Sequence, residues 1–294
     1  MSDPQSTIRE AAKAKLNLYL HVTGRRPDGY HKLDTLFAFV EFGDVLAIEQ
    51  ADKFCLVHRG DYRNDLPTPQ NNLVWKAAHL LADAYNRDAS VRVNLEKRLP
   101  IASGLGGGSA DAAAVLRGLC TLWGISVNDP AVQDIAANLG ADVPVCVFST
   151  AALATGVGDH LQPVALPACG VLLVNPNIPL ETRDVFAAFK RSNASFSGQN
   201  QPDKMADFDA MVGAMTCRSN DLEQAAIGLQ PVIAEMLNAV DQLPGCALAR
   251  MSGSGASCFG LFKTATGARV AAKVLQNNQP DWWIQPTQIS GTMN

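Results

Sequence analysis

The sequence has no excess of positive charge: 24 Lys and Arg stand against 28 Asp and Glu, a net charge of −4. Such a balance cannot neutralise a phosphodiester backbone, so nucleic acid is excluded as a bulk partner. An anionic small substrate needs only a few local cations and stays open. Long apolar runs are missing too; no stretch reaches the ~20 residues of a membrane span, and no membrane partner is expected. Residues 1–15 carry Asp3, Arg9, Glu10, Lys13 and Lys15 around no apolar core, so no secretory signal is read there. Cysteines are scattered, seven in number, and never spaced C-x-x-C. Buried thiols in a reducing cytoplasm are the expectation. The five histidines show no H-E-x-x-H and no other metal-ligand spacing, which argues against zinc. No serine sits in G-x-S-x-G, which weakens an acyl-hydrolase reading. There is no internal repeat, and none of these features bears on oligomeric state.

What is present is ordinary globular composition, 47% hydrophobic and 18% charged over 294 residues. That length has room for two domains. The most informative stretch is Leu99-Pro100-Ile101-Ala102-Ser103-Gly104-Leu105-Gly106-Gly107-Gly108-Ser109-Ala110-Asp111. Ahead of it Val91, Val93 and Leu95 alternate with polar residues, as in a half-buried strand; behind it Val115, Leu116, Leu119 and Leu122 recur at helical spacing. Glycine leaves no side chain in the way, so backbone N–H groups can converge on an anion. The following helix turns its unpaired N–H groups to the same place. Ser109 is suited to cap that helix or to turn its hydroxyl to a phosphate or metal. No lysine closes the run as in a P-loop, and Ser109 stands where the dinucleotide fingerprint needs glycine. A polyphosphate cradle is the expectation; a tight turn without ligand is the alternative.

Along the chain, Leu16, Leu18, Leu20 and Val22 alternate with Lys15, Asn17, Tyr19 and His21, predicting a strand with one polar face. Lys15 and Asn17 share that face, either solvated or paired for chemistry. The turn from Thr23 to Gly29 leads to Tyr30-His31, where two arginines, an aromatic and a histidine form either a base-and-phosphate site or a soluble tip. Strands are predicted at Leu36–Phe42, Val45–Glu49 and Phe54–Val57, and a helix from about Leu73 to Tyr85. Pro130 fits the first turn of a helix ending at Gly140. Asp142 follows as a lone carboxylate in a run of Ala, Val and Pro, either a partnered buried acid or a turn aspartate. Strands at Ala151–Val157 and Leu161–Leu166 precede a change of character after Pro167. From there the pattern predicts strands at Gly170–Val174, Cys246–Arg250, Cys258–Phe262 and Trp282–Pro286. Helices are predicted around Glu181–Arg191, Lys204–Met215, Leu222–Leu229, Val232–Val240 and Gly267–Gln276, with Ser192–Asp203 a loop.

Lys15 with Asn17 in the first strand, the L-P-x-x-x-G-L-G-G-G-S turn and the late Gly253-Ser254-Gly255-Ala256 turn together resemble the GHMP kinases. Ala14-Lys15-Leu16-Asn17-Leu18, Arg26-Pro27-Asp28-Gly29-Tyr30-His31 and Leu139-Gly140-Ala141-Asp142-Val143-Pro144 look closer to one branch. That branch phosphorylates the 2-hydroxyl of a cytidylyl-bearing methylerythritol in isoprenoid precursor synthesis. The resemblance implies an α+β, two-domain GHMP kinase fold with the active site in the cleft between domains. It implies an ATP-binding domain at 1–165 and a substrate-side domain at 166–294, in a cytoplasmic enzyme using ATP and Mg²⁺. By the same resemblance, Lys15 and Asp142 are the catalytic pair, and residues 100–110 wrap the triphosphate with Asn72 and Leu73 nearby. Tyr30 would stack on the cytosine, His31 would bond its edge and Phe186 would cover the other face. Asn17 and Thr182 would contact the substrate, and Ser109 is a candidate Mg²⁺ ligand. The alternatives are a GHMP kinase of another small alcohol, such as mevalonate or homoserine, or a member that only binds nucleotide.

Overall fold

A computed structural model describes residues 7–64, 66–202 and 204–291. The chain divides into two compact units interleaved in sequence. The first comprises residues up to Ala14, Gly43–Ile101 and Gly106–Ser149; the second comprises Lys15–Phe42, Ala102–Leu105 and Thr150 onward.

Two long strands run through both units, β1 (Ile8–Arg25) and β2 (His31–Gln50). The second replaces the two strands expected on either side of Gly43. That glycine marks a close approach and not a turn: a Cβ on it would stand only 2.0 Å from the Ala12 carbonyl oxygen. The expected polar face of β1 is also corrected. Every residue from Ala14 to Val22 is buried, so Lys15, Asn17, Tyr19 and His21 are not solvated and need partners.

In the first unit β4 (Val91–Glu96) pairs antiparallel with the end of β2, Val45 opposite Glu96, and parallel with β3 (Cys55–Arg59). Helix α1 (Leu73–Ala84) packs on α2 (Gly107–Trp123), and α3 (Pro130–Leu139) on α1. The side-chain oxygen of Asn72 caps α1 by accepting from Val74 N–H at 2.9 Å. A short α4 (Val143–Phe148) packs on α2. Its apolar run escaped the sequence reading because six residues are too few to show a helical period, although Pro144 sits in the first turn as a helix start allows.

In the second unit β5 (Ala152–Gly156) pairs with the start of β2, and β6 (His160–Pro163) pairs with β5. A separate antiparallel sheet runs β10 (Trp283–Ile289), β7 (Cys169–Asn175), β9 (Cys258–Phe262), β8 (Cys246–Met251). On it pack α8 (Val232–Asp241), α9 (Ala265–Asn278) and, at β8, α6 (Phe208–Thr216), while α5 (Thr182–Arg191) packs on α7 (Glu223–Leu229) and α7 on α8. Leu20, Val22, Leu172, Val174, Ile233, Met236, Phe262 and Ala272 share one core there. All seven cysteines are free. Burial pushes the Cys120 and Cys169 thiols up to about 11 and about 12, which leaves them poor nucleophiles at neutral pH. Among the described residues no helix is long and apolar enough to cross a membrane.

Candidate active site

In the first unit β4 runs into the glycine turn and α2 leaves it. Gly106 takes the N-cap position of α2 with φ of 67°, and no side chain caps the helix. Ser109 therefore does not cap; it lies in the first turn with its side chain half-buried. The first N–H groups of a helix have no partner within it, and no side chain takes them up here, an arrangement that suits an anion. Leu73, at the start of α1, comes within ordinary contact of the place a Cβ on Gly108 would occupy, at 3.7 Å. Asp142 immediately precedes α4, half-buried, and its side chain makes no capping bond to that helix.

The second unit holds Lys15 and Asn17 on β1. The Lys15 ammonium donates to Asn17 Oδ1 at 2.9 Å and stands 4.6 Å from the centre of the Phe37 ring. Asn17 Nδ2 donates to Thr35 Oγ1 at 2.8 Å, and Thr35 in turn donates to the Tyr19 carbonyl. This chain of donors holds both side chains in one orientation. The middle of the glycine turn meets the late serine-glycine turn: Ser252 Oγ donates to the Gly104 carbonyl at 3.1 Å, and Ser257 N–H to the Ser103 carbonyl at 3.0 Å. A Cβ on Gly104, whose φ is +76°, would stand 2.5 Å from the Ser252 carbonyl oxygen. Only glycine fits there.

The same unit carries an aromatic corner. His31 opens β2 and stacks on Phe186 of α5, centroids 5.0 Å apart and planes 22° from parallel; Phe189 presents its edge at 6.0 Å. Burial, with Arg25 and Lys190 nearby, lowers the His31 pKa, so the ring is neutral at pH 7 and has one donor and one acceptor nitrogen. Tyr30 beside it is 68% exposed. Thr182 shares a hydrogen bond of 2.8 Å with Ser254 of the serine-glycine turn.

Thr35 escaped the sequence reading, because a hydroxyl in an apolar strand carries no pattern of its own. Ser254 entered it only as part of the late serine-glycine turn, and its partner Thr182, like the bond of Ser252 to Gly104, is visible only in the structure.

The family of GHMP kinases N terminal domains matches residues 72–150, and the GHMP kinases C terminal family matches residues 205–281. The 4-diphosphocytidyl-2-C-methyl-D-erythritol kinase of Roseobacter denitrificans is 44% identical over 292 residues, covering 98% of this chain and 96% of that relative. The chain belongs to that kinase family, within the GHMP kinases. The protein of the same name from Parvibaculum lavamentivorans is 42% identical over 99% of this chain and the whole of that relative. A crystal structure of 4-(cytidine 5'-diphospho)-2C-methyl-D-erythritol kinase matches with a TM-score of 0.78 at 34% identity, covering 97% of this chain and 100% of that one. Homoserine kinase from Cytophaga hutchinsonii shares the fold at a TM-score of 0.71 and 18% identity, covering 99% and 96%. This GHMP kinase is accordingly an ATP-dependent phosphotransferase with the α+β, two-domain fold of its family.

Proposed function

We propose that the chain transfers the γ-phosphoryl group of ATP to the 2-hydroxyl of 4-diphosphocytidyl-2-C-methyl-D-erythritol. The reading rests on relatives of that name matching nearly end to end. The observation in the molecule that carries it is the corner of His31 and Phe186 beside the exposed ring of Tyr30. A nucleobase is read by aromatic faces and by polar groups on its edge. Mevalonate and homoserine have no base to place there.

Residues 100–110 would cradle the triphosphate, with Asn72 and Leu73 beside the nucleotide. Tyr30 would stack on cytosine, and neutral His31 would bond its edge next to Phe186. Asn17 and Thr182 would hold the rest of the substrate. Asp142 would take the proton of the 2-hydroxyl as its oxygen bonds to the γ-phosphorus and the bond to ADP breaks. Lys15 would offset the charge developing on that oxygen. Mg²⁺ carried on ATP phosphates takes only one or two protein oxygens, and the half-buried Ser109 hydroxyl in the first turn of α2 would be such a donor. When bound, the ion supplies charge neutralisation on the phosphates. The division proposed is an ATP-binding domain at residues 1–165, which also gives Asn17, Tyr30 and His31 to the substrate, and a substrate-side domain at 166–294, in a cytoplasmic enzyme.

ADP release with the cytidylyl substrate, measured beside mevalonate and homoserine, tests the proposal. Turnover with the first alone is expected. Turnover with either of the others and none with the first overturns it.

A further inference from the structure

The first unit contains a buried charge cluster that the proposed chemistry does not use. Lys97, in the two-residue step between β4 and the glycine turn, is 2% exposed, as is Asp111 on α2, and Asp44 on β2 is fully buried. The Lys97 ammonium donates to Asp44 Oδ2 at 2.5 Å and to Asp111 Oδ2 at 2.7 Å. Asp44 Oδ1 accepts the backbone N–H groups of Arg98 and Leu99 at 2.6 and 2.9 Å. The Lys97 N–H itself donates to the Arg59 carbonyl of β3 at 2.8 Å. A Cβ on Gly107 would stand 3.1 Å from Lys97 Nζ and 3.6 Å from Asp44 Oδ2, so the cluster lies directly under the first residue of α2.

Burying three ionisable groups is costly, and an apolar trio of similar shape would hold the fold as well or better. The cluster therefore calls for a reason beyond stability, and its bonds suggest one. Asp44 fastens the backbone where the chain enters the glycine turn. Lys97 passes that anchor to Asp111, one helical turn beyond where the chain leaves it. Asp111 Oδ1 is buried and among the described residues has no hydrogen-bond partner. That unpaired oxygen adds to the cost of the cluster.

We propose that Asp44, Lys97 and Asp111 form a positioning triad that fastens both ends of the glycine turn, keeping the first N–H groups of α2 aimed as a bound triphosphate requires. The proposal rests on the reading of that turn as the triphosphate cradle. None of the three is a catalytic residue; each acts through the backbone. Aim matters because N–H donors stabilise phosphate charge only when fixed before binding.

The test removes the tie at the helix end while leaving Lys97 and Asp44 as a balanced pair. Asp111→Leu is close in shape, a good helix former, and deletes an acid from an apolar surround. In that variant the ATP KM is expected to rise about tenfold or more, with the KM for the alcohol substrate unchanged and Tm unchanged or higher. Asp111→Asn keeps an oxygen for the Lys97 ammonium and should restore the ATP KM. If Asp111→Leu does not fold, Asp111→Ala is measured for the same split. Wild-type ATP KM in the apolar variant, equal rises in both KM values, or an Asn variant as damaged as the Leu one overturns the triad. Gly106→Val separates the two readings. If it binds ATP normally by calorimetry, the cradle reading falls and takes the triad with it. If it loses ATP while Asp111→Leu keeps it, only the triad falls.

Discussion

A carboxylate serves as general base only where it meets the proton it must take, and that is the role proposed for Asp142. It sits between the Gly140-Ala141 step and Pro144 in the first turn of α4. Asp142→Asn should leave ATP affinity nearly intact and lower kcat by about 10²–10⁴, the range for loss of a general base. Isothermal titration with ATP and steady-state kcat check it together; near-normal kcat removes Asp142 from the mechanism. In the proposed reading, Tyr30 is what separates this kinase from relatives that act on smaller alcohols. Tyr30→Ala should weaken the cytidylyl substrate by about 1–3 kcal/mol, the range for base–aromatic stacking, with ATP KM unchanged. Tyr30→Phe should match wild type, because the ring and not the hydroxyl does the stacking. Equal damage to both KM values would make Tyr30 a support of the fold. At this scale Lys15, Asn17, His31 and the glycine turn stand out in the sequence as candidates, by strand alternation, turn chemistry and glycine density. Asp111 does not: it stands among Ala110 and Ala112–Ala114, where a single acid in an alanine run looks incidental. Lys97 was hidden for the opposite reason, since Glu96-Lys97-Arg98 looks like a solvated charge run. Only burial distinguishes Lys97 from Glu96 and Arg98, which pair with each other on the surface at 2.9 Å.

Among the elements, period and punctuation were enough for the helices α1, α2, α3 and α5 and for the strands of the β10-β7-β9-β8 sheet. They failed where a long-range approach decides the outcome. Gly43 looks like a break between strands until the Ala12 carbonyl is seen against it. The alternation of β1 predicts a polar face and leaves open whether solvent or partners cover it, because a sequence alone does not show that both faces are buried. The glycines of the turn divide along the same line. Gly104→Ala places a Cβ against the backbone of Ser252 and Gly255, at 2.5 and 2.7 Å, on a residue with φ of +76°. It should lower Tm and ATP affinity together. Among the described residues a Cβ on Gly108 meets only the flexible Leu73 side chain at 3.7 Å, and the residue lies in the first turn of α2. Gly108→Ala should hold or raise Tm slightly, since nothing rigid opposes the added carbon and the gain of alanine over glycine in a first turn is smaller than the ~1 kcal/mol of a helix interior. Its ATP KM should nevertheless rise, because the added carbon narrows the approach to phosphate. Differential scanning fluorimetry and ATP KM on both variants decide the matter. An unchanged ATP KM in Gly108→Ala would remove that position from the cradle.

For the molecule as a whole, the buried triad ties stability to pH in a direction opposite to ordinary acid denaturation. Burial first, and then the neighbouring Asp44 charge, raise the Asp111 pKa to about 8 against the pull of Lys97. An aspartate in the unfolded chain titrates near ~3.9. Between those values the folded protein binds a proton that the unfolded chain does not, so rising pH draws the equilibrium toward unfolding. The contribution of Asp111 is thus full below about 4 and lost as pH climbs through about 8. Lys97 behaves alike at a higher window: burial alone would lower its pKa, but the two carboxylates override it and leave it raised. Its stabilisation is present below the ordinary lysine range and is lost only in stronger alkali. Asp111→Asn carries no titrating proton, so it should gain stability relative to wild type as pH rises from 6 to 9. Urea unfolding of both proteins at those two pH values measures the gap, with slopes compared to confirm that the unfolded state is unchanged. A gap of the same size at both would mean that Asp111 is ionised throughout, and that the triad lies under the glycine turn with a net negative charge.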